Sequence, residues 1–281
     1  MRHQDIETSR RQVDGTQSLE DLKSRSLVVF VSDAHLGSGA DSRQRELELC
    51  AFLDNIKGDC RQLFLLGDIF DFWFTYRYVV PRGHVRLLGK LAELADSGVE
   101  IHFFIGNHDM WLFDYLSDEC GIIMHDDPEV FDIDGRRFLI GHGDGLGHLD
   151  KSFDRLRSIF RSRLNQRLLT LLPTSWVFSF AHRWSDSNKE KHAREDKLHY
   201  LGDENEGIVL YCRERLKSEQ IDYCIFGHRH TPLVMPLDKA GASSESLYVN
   251  TGDWMFNRNY VVYRTEDHTL KLYDLRTGEV V

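Results

Sequence analysis

Five times along this chain a short apolar run ends and is followed at once by a cluster of Asp, Asn and His. Residues 27–31 lead into Asp33-Ala34-His35, and 63–66 into Gly67-Asp68-Ile69-Phe70-Asp71. Residues 100–105 lead into Gly106-Asn107-His108-Asp109 and 137–140 into Gly141-His142-Gly143-Asp144, while 223–226 lead into Gly227-His228-Arg229-His230. Runs of this length, rich in β-branched and aromatic residues, read as buried strands. In an open α/β sheet the strand ends form the ligand-binding edge, so the five loops are expected to meet there. Glycines before the ligands let the backbone turn sharply and come close to a substrate.

Between the first runs the apolar spacing is helical. A helix is expected over 43–56 with Leu47, Leu49, Phe52 and Leu53 inward, and another over 85–95. Alternation of strand and helix predicts an α/β sheet with helices packed on it. After Gly121 strands follow without long helices, at 122–124, 129–133 and 137–140, with Asp134-Gly135 as a hairpin turn. Helical texture then runs from 149 to 216, and strands return at 223–226, 246–249, 260–263 and 270–273.

Residues 1–26 are polar, carry charges of both signs and read as a flexible tail without the apolar stretch of a secretion signal. Residues 27–281 read as one domain with a helical insertion at about 149–200. A net charge of −10 disfavours nucleic acid as a partner. The insertion departs from that balance, with ten Lys/Arg against three Asp/Glu between Lys151 and Arg194. Its apolar stripe (Phe153, Leu156, Phe160, Leu164, Leu168, Leu171) continues past Pro173 as Trp176, Phe180 and Trp184. Two readings fit: an insertion docked on the main domain, or a cap presenting an amphipathic surface to lipid and phosphate. The five cysteines show no zinc-type spacing and read as reduced thiols of a cytoplasmic protein.

Carboxylate, imidazole and amide oxygen without thiolate suit Mn²⁺, Fe or Zn²⁺. A carboxylate shared by two cations about 3.5–4 Å apart is the core of a two-metal hydrolase. Each cluster alone is weak, since a Gly-His-x-His stretch is commonly a loop with two surface histidines. All five in order after strands are a strong joint signal.

Taken together, D-x-H, G-D-x-x-D, G-N-H-D, G-H-G-D and G-H-x-H resemble the calcineurin-like metallophosphoesterases. The resemblance implies a two-sheet β sandwich flanked by helices, with two divalent metal ions. It implies that Asp33, His35 and His230 hold the first metal and that Asp68 bridges both. It assigns Asn107, His142 and His228 to the second. His108 would act on the phosphoryl oxygens or the leaving group, with the Asp71 carboxylate orienting its ring.

Gly67-Asp68-Ile69-Phe70-Asp71-Phe72-Trp73 further resembles the G-D-L-F-[DE]-x-W stretch of the UDP-2,3-diacylglucosamine diphosphatases. That family cuts a UDP-linked, two-chain glucosamine to lipid X and UMP in lipid A synthesis, and a helical insertion covers its acyl chains. The likeness implies a cytoplasmic enzyme, peripheral at the inner face of the inner membrane, with Asn188 and Lys189 as substrate contacts. It departs at His108, where the best-known members carry Arg. Another phosphodiesterase or phosphatase, a nuclease, and a non-catalytic scaffold on the same fold are the alternatives.

Overall fold

Val28, Val29, Phe30 and Val31 are all fully buried, so the first strand is covered on both faces and needs no polar alternation. The computed structural model describes residues 24–148, 159–160, 162–179, 202, 206–237 and 246–278. A six-stranded sheet runs in the order β11-β10-β1-β2-β3-β4, built from β1 (Leu27–Val31), β2 (Cys60–Leu65), β3 (Glu100–Phe104), β4 (Ile123–His125), β10 (Asn259–Arg264) and β11 (Thr269–Asp274). A five-stranded sheet runs β5-β6-β7-β9-β8, from β5 (Glu129–Ile133), β6 (Arg136–Gly141), β7 (Tyr223–Phe226), β8 (Pro232–Leu237) and β9 (Ser246–Thr251). Within these sheets β1, β2, β3 and β4 are parallel neighbours, as are β6, β7 and β9.

Strand alternation sorts the side chains into layers. Val28, Phe30, Phe64 and Phe104 turn toward Phe138, Ile140, Ile225 and Val249 of the other sheet. The ring centroids of Phe30 lie 5.0 Å from Phe64 and 6.3 Å from Phe138, so aromatic stacking crosses the interface. Each such fully buried ring stabilises the fold by about 1.5–3 kcal/mol. Val29, Val31, Leu63 and Leu65 face the other way, onto helices α1 (Ser42–Ile56) and α2 (Val85–Asp96). Helix α5 (Gly207–Leu216) covers the outer face of the second sheet through Ile208, Val209 and Cys212. The result is the two-sheet sandwich with flanking helices that the motifs imply.

Four details depart from the sequence reading. Leu47 is 39% exposed, and Arg45 takes the inward place on α1. Its guanidinium donates to the carbonyls of Ala34 (3.2 Å), His35 (3.1 Å) and Ser38, tying the loop after β1 to the helix. Strand β8 was masked by Pro232 and Pro236, which lack N–H donors; the strand lies at a sheet edge, where proline is tolerated. Helix α3 (Tyr115–Cys120) is too short to show periodicity. From the expected tail, Arg25 is buried and donates to the carbonyls of Cys60 (3.4 Å) and Ser97 (3.0 Å).

Of the insertion, the described parts are helix α4 (Arg163–Leu169), a helical stretch at 174–179 and short adjoining pieces. Asn188, Lys189, Phe180 and Trp184 lie outside the described residues. Among those described, no helix is long and apolar enough to cross a membrane.

Candidate metal centre

All five loops meet. Asp33 N donates to Gly67 O (3.1 Å) and His35 N to Asp68 O (2.9 Å), joining the loops after β1 and β2. His108 N donates to Asp68 Oδ1 (2.9 Å), which brings in the loop after β3. Gly227 N donates to His142 O (3.0 Å), and His228 N to Asp33 Oδ2 (2.9 Å). The backbone is bent to allow it: Asp33, His35, Asp68, His228 and His230 all have positive φ, between 43° and 68°. For residues with a Cβ this left-handed conformation costs roughly 1 kcal/mol each. Strain of this kind gathers where a site over-determines the geometry. Gly106 and Gly227 are required by close approach, since a Cβ on either would collide with Asp68 Oδ1 or Asp33 Oδ2.

Among the described residues three groups have ligand atoms within 4.8 Å of one another: Asp33, His35 and His230; Asp68, His142 and His228; and His35, Asp71 and His108, of which the first two hold the expected ligands. In the first, Asp33 Oδ2 accepts from Ser32 Oγ and His228 N. That leaves Oδ1 turned to His230 Nε2 (3.4 Å) and His35 Nε2 (4.0 Å). In the second, His142 Nδ1 donates to Leu66 O (2.6 Å), because a carbonyl can only accept. His142 Nε2 then faces Asn107 Oδ1 at 3.4 Å and Asp68 Oδ2 at 3.5 Å. Asp68 Oδ2 also lies 3.8 Å from His35 Nε2, so one carboxylate oxygen stands between the two groups.

Whether these residues suit a cation follows from which atoms face each other. Asp68 Oδ2 and Asn107 Oδ1 are acceptors that converge with His142 Nε2 on one space, which favours a positive charge there. Burial alone would lower His142, but Asp68 outweighs it and pushes His142 up to about 10. Burial would likewise raise Asp68, yet the rings of His142, His108 and His35 hold it well below the carboxylate range. Burial pushes His35 down to about 4 and raises Asp33, so both groups are destabilised as charged species. Asp33 Oδ1 and both His35 ring nitrogens are buried without hydrogen-bond partners among the described residues. Divalent cations would take the facing carboxylate oxygens and one nitrogen of each ring, and the donor set fits Mn²⁺, Fe or Zn²⁺.

Asp71 and His108 sit beside the first group. His108 Nδ1 lies 2.9 Å from the Asp71 backbone carbonyl, which accepts its proton. The sequence reading gives that task to the Asp71 carboxylate. In the structure its Oδ1 lies 3.7 Å from His108 Nδ1 and closer, 3.5 Å, to His35 Nδ1. The carboxylate is shared by two rings because Asp71 N is itself held by Leu36 O (2.9 Å), next to His35.

Two carboxylates at this edge were not singled out from sequence. Asp109, fully buried, accepts from Gly106 N (2.8 Å), Ile69 N (2.9 Å) and Phe70 N (3.3 Å), pinning the loops after β2 and β3 together. Burial and the nearby Asp68 push it up to about 7. Asp253, also fully buried, follows β9 and lies 3.4 Å from His230 Nδ1. Its signal was present: Thr251-Gly252-Asp253 closes a strand just as Gly67-Asp68 does.

The insertion reaches this edge through aromatic rings. Phe72, one residue after Asp71, packs 5.0 Å from Phe178 and 5.7 Å from Trp111. Trp111 Nε1 donates to Phe160 O (2.9 Å).

The family model described as calcineurin-like phosphoesterase matches residues 26–232. The chain is 37% identical over 252 residues to the UDP-2,3-diacylglucosamine hydrolase of Porphyromonas gingivalis, covering 85% of this chain and 94% of that protein. It is 30% identical to the protein of the same name from Nitrosococcus oceani, with 80% and 86% covered. To that of Ralstonia nicotianae it is 31% identical, with 73% and 77% covered.

Proposed function

The chain belongs to the calcineurin-like phosphoesterase family as a metal-dependent hydrolase, and we propose that it cleaves UDP-2,3-diacylglucosamine to 2,3-diacylglucosamine 1-phosphate (lipid X) and UMP in lipid A synthesis. The observation that carries the chemistry is the pair of ligand groups sharing Asp68 Oδ2. Asp33, His35, Asp68 and His230 would hold one cation, and Asp68, Asn107, His142 and His228 the other. Mn²⁺ is the expected metal. When bound, the cations supply Lewis-acid polarisation of phosphoryl oxygens and an activated water nucleophile.

The polypeptide's own contribution is placement. Asp109 and Arg45 hold the loops that carry the ligands, so little rearrangement remains to be made when substrate arrives. His108 is 23% exposed and stands edge-on to His35 with ring centroids 4.7 Å apart. From there it can face an incoming phosphoryl group.

The substrate class is supported by the named relatives and by the basic, apolar insertion. A diphosphate is matched by Lys and Arg, and acyl chains by an apolar face. Purified protein loaded with Mn²⁺ should convert UDP-2,3-diacylglucosamine to UMP, identified by mass spectrometry. Release of UDP, or turnover of unacylated nucleotide sugars alone, would remove the lipid assignment.

We further assign the insertion to the membrane surface and the acyl chains. Leu164 on α4 and Leu171 and Trp176 beyond its end are 67%, 78% and 69% exposed, large apolar side chains open to solvent. Replacing Trp176, Phe180 and Trp184 together by Ser should reduce sedimentation with anionic vesicles and raise KM for acylated substrate, leaving kcat on a soluble diester unchanged. An unaltered KM would reassign the three rings to packing.

A further inference from the structure

We propose that Asp253 is a positioning residue that fixes the metal-binding face of His230 and makes the two cation positions unequal in hold. This rests on the two-cation reading of the site given above. The loop carrying Asp253 is fastened to the first ligand loop: Trp254 N donates to Ser32 O and Met255 N to Asp33 O, both at 3.1 Å. Asp253 Oδ1 is occupied by Phe256 N (2.6 Å) and Asn257 N (2.9 Å), which orients the carboxylate. Its Oδ2 is left facing His230 Nδ1 at 3.4 Å, with Asn257 Nδ2 at the same distance on its other side. Across the ring, His230 Nε2 faces Asp33 Oδ1 at 3.4 Å.

A neutral imidazole carries one proton and one lone pair, and a carboxylate at Nδ1 decides their places. His230 Nδ1 makes no hydrogen bond among the described residues, so the Asp253 carboxylate facing it at 3.4 Å is the group that draws the ring proton to Nδ1 and turns the Nε2 lone pair to the Asp33 side. His35 Nδ1 also has a carboxylate in reach, Asp71 Oδ1 at 3.5 Å, but that oxygen lies between two rings, 3.7 Å from His108 Nδ1. His142, in the second group, is backed only by the neutral carbonyl of Leu66. A ligand ring with a carboxylate at its outer nitrogen is held in its ligating tautomer more firmly than one with a neutral carbonyl there. The Asp33 side therefore keeps its cation when the Asp68–His142–His228 side exchanges.

Asp253→Asn tests the assignment. The Asn oxygen can still accept from Phe256 N and Asn257 N, but its amide nitrogen then donates toward His230 Nδ1 and favours the proton on Nε2, where it blocks ligation. Mn²⁺ titration of the metal-free protein, followed by calorimetry and electron paramagnetic resonance, should show two sites in the wild type. In the variant one site should weaken by about 10–100-fold, the usual effect of losing such a backing group, with the other within about twofold. Two unchanged affinities, or equal weakening of both, would overturn the role of Asp253 while leaving the two-cation reading intact. A wild type that takes up fewer than two cations would overturn that reading, and this inference with it.

A second measurement needs no variant of Asp253 and stands even if Asp253→Asn fails to fold. Long-range proton–nitrogen correlation spectra of Zn²⁺-loaded wild type, with His230 assigned through His230→Gln, should place the proton on Nδ1. A proton on Nε2 would refute the proposal.

Discussion

Asp68→Ala should leave the protein folded and without activity, with both cations lost or held far more weakly. Asp68 Oδ2 lies near both groups, 3.5 Å from His142 Nε2 and 3.8 Å from His35 Nε2. Its Oδ1 accepts from His108 N and so also sets the loop that carries Asn107 and His108. Deleting it removes a shared ligand from each cation and leaves His142 without the charge that holds its proton. His142 can shed that proton, which is why the fold should survive. Two-metal stabilisation of a phosphoryl transition state supplies several kcal/mol. At about 1.4 kcal/mol per tenfold, a loss of about 10⁴-fold or more in kcat/KM is expected. Metal content after gel filtration and turnover of bis-p-nitrophenyl phosphate check it, with circular dichroism confirming the fold. Two retained equivalents of metal with more than a tenth of wild-type turnover would end the claim that Asp68 bridges.

The part of the site legible in the sequence was the part that repeats a local rule. Strand, then Gly, then ligand states a position on a sheet edge, and parallel pairing of β1 with β2 and β2 with β3 makes successive edges coincide. Strand pairing therefore converts spacing along the chain into proximity in space. What was hidden obeys no such periodicity. Arg45 occupies an inward helical position usually given to Leu, because three backbone carbonyls of the first ligand loop offer it partners. Asp253 does follow the local rule in Thr251-Gly252-Asp253, but that it meets His230 is set by the pairing of β7 with β9 and not by any spacing along the chain. Asp71 looked like a partner for one ring, and its place between His35 and His108 depends on the hydrogen bond from its own N–H to Leu36 O. The insertion is readable in composition but not in contacts, since amphipathic helices specify a face and not the surface that receives it.

His108→Ala should keep both cations and lower kcat by about 10²–10⁴-fold, the scale associated with a side chain acting on the reacting group. The ring is anchored at Nδ1 by Asp71 O, so Nε2 is the atom free to meet a phosphoryl oxygen or a leaving group. These two tasks call for different chemistry. A leaving group that is itself a phosphate, as in cleavage of a diphosphate, departs as a stable anion and needs no proton. A leaving alkoxide does need one. For the diphosphate substrate His108 is therefore expected to neutralise charge on phosphoryl oxygens, which a guanidinium performs as well. Arg stands here in the best-known members of the resembling diphosphatases. His108→Arg should accordingly regain most of the activity lost in His108→Ala on UDP-2,3-diacylglucosamine, reaching within about tenfold of wild type, the equivalent of about 1.4 kcal/mol. On an alkyl phosphodiester, where the departing oxygen must be protonated, the same Arg should give no rescue. If Arg proves as poor as Ala on the diphosphate while metal content is unchanged, His108 acts through its proton, and a substrate with a more basic leaving group becomes the better reading of this site.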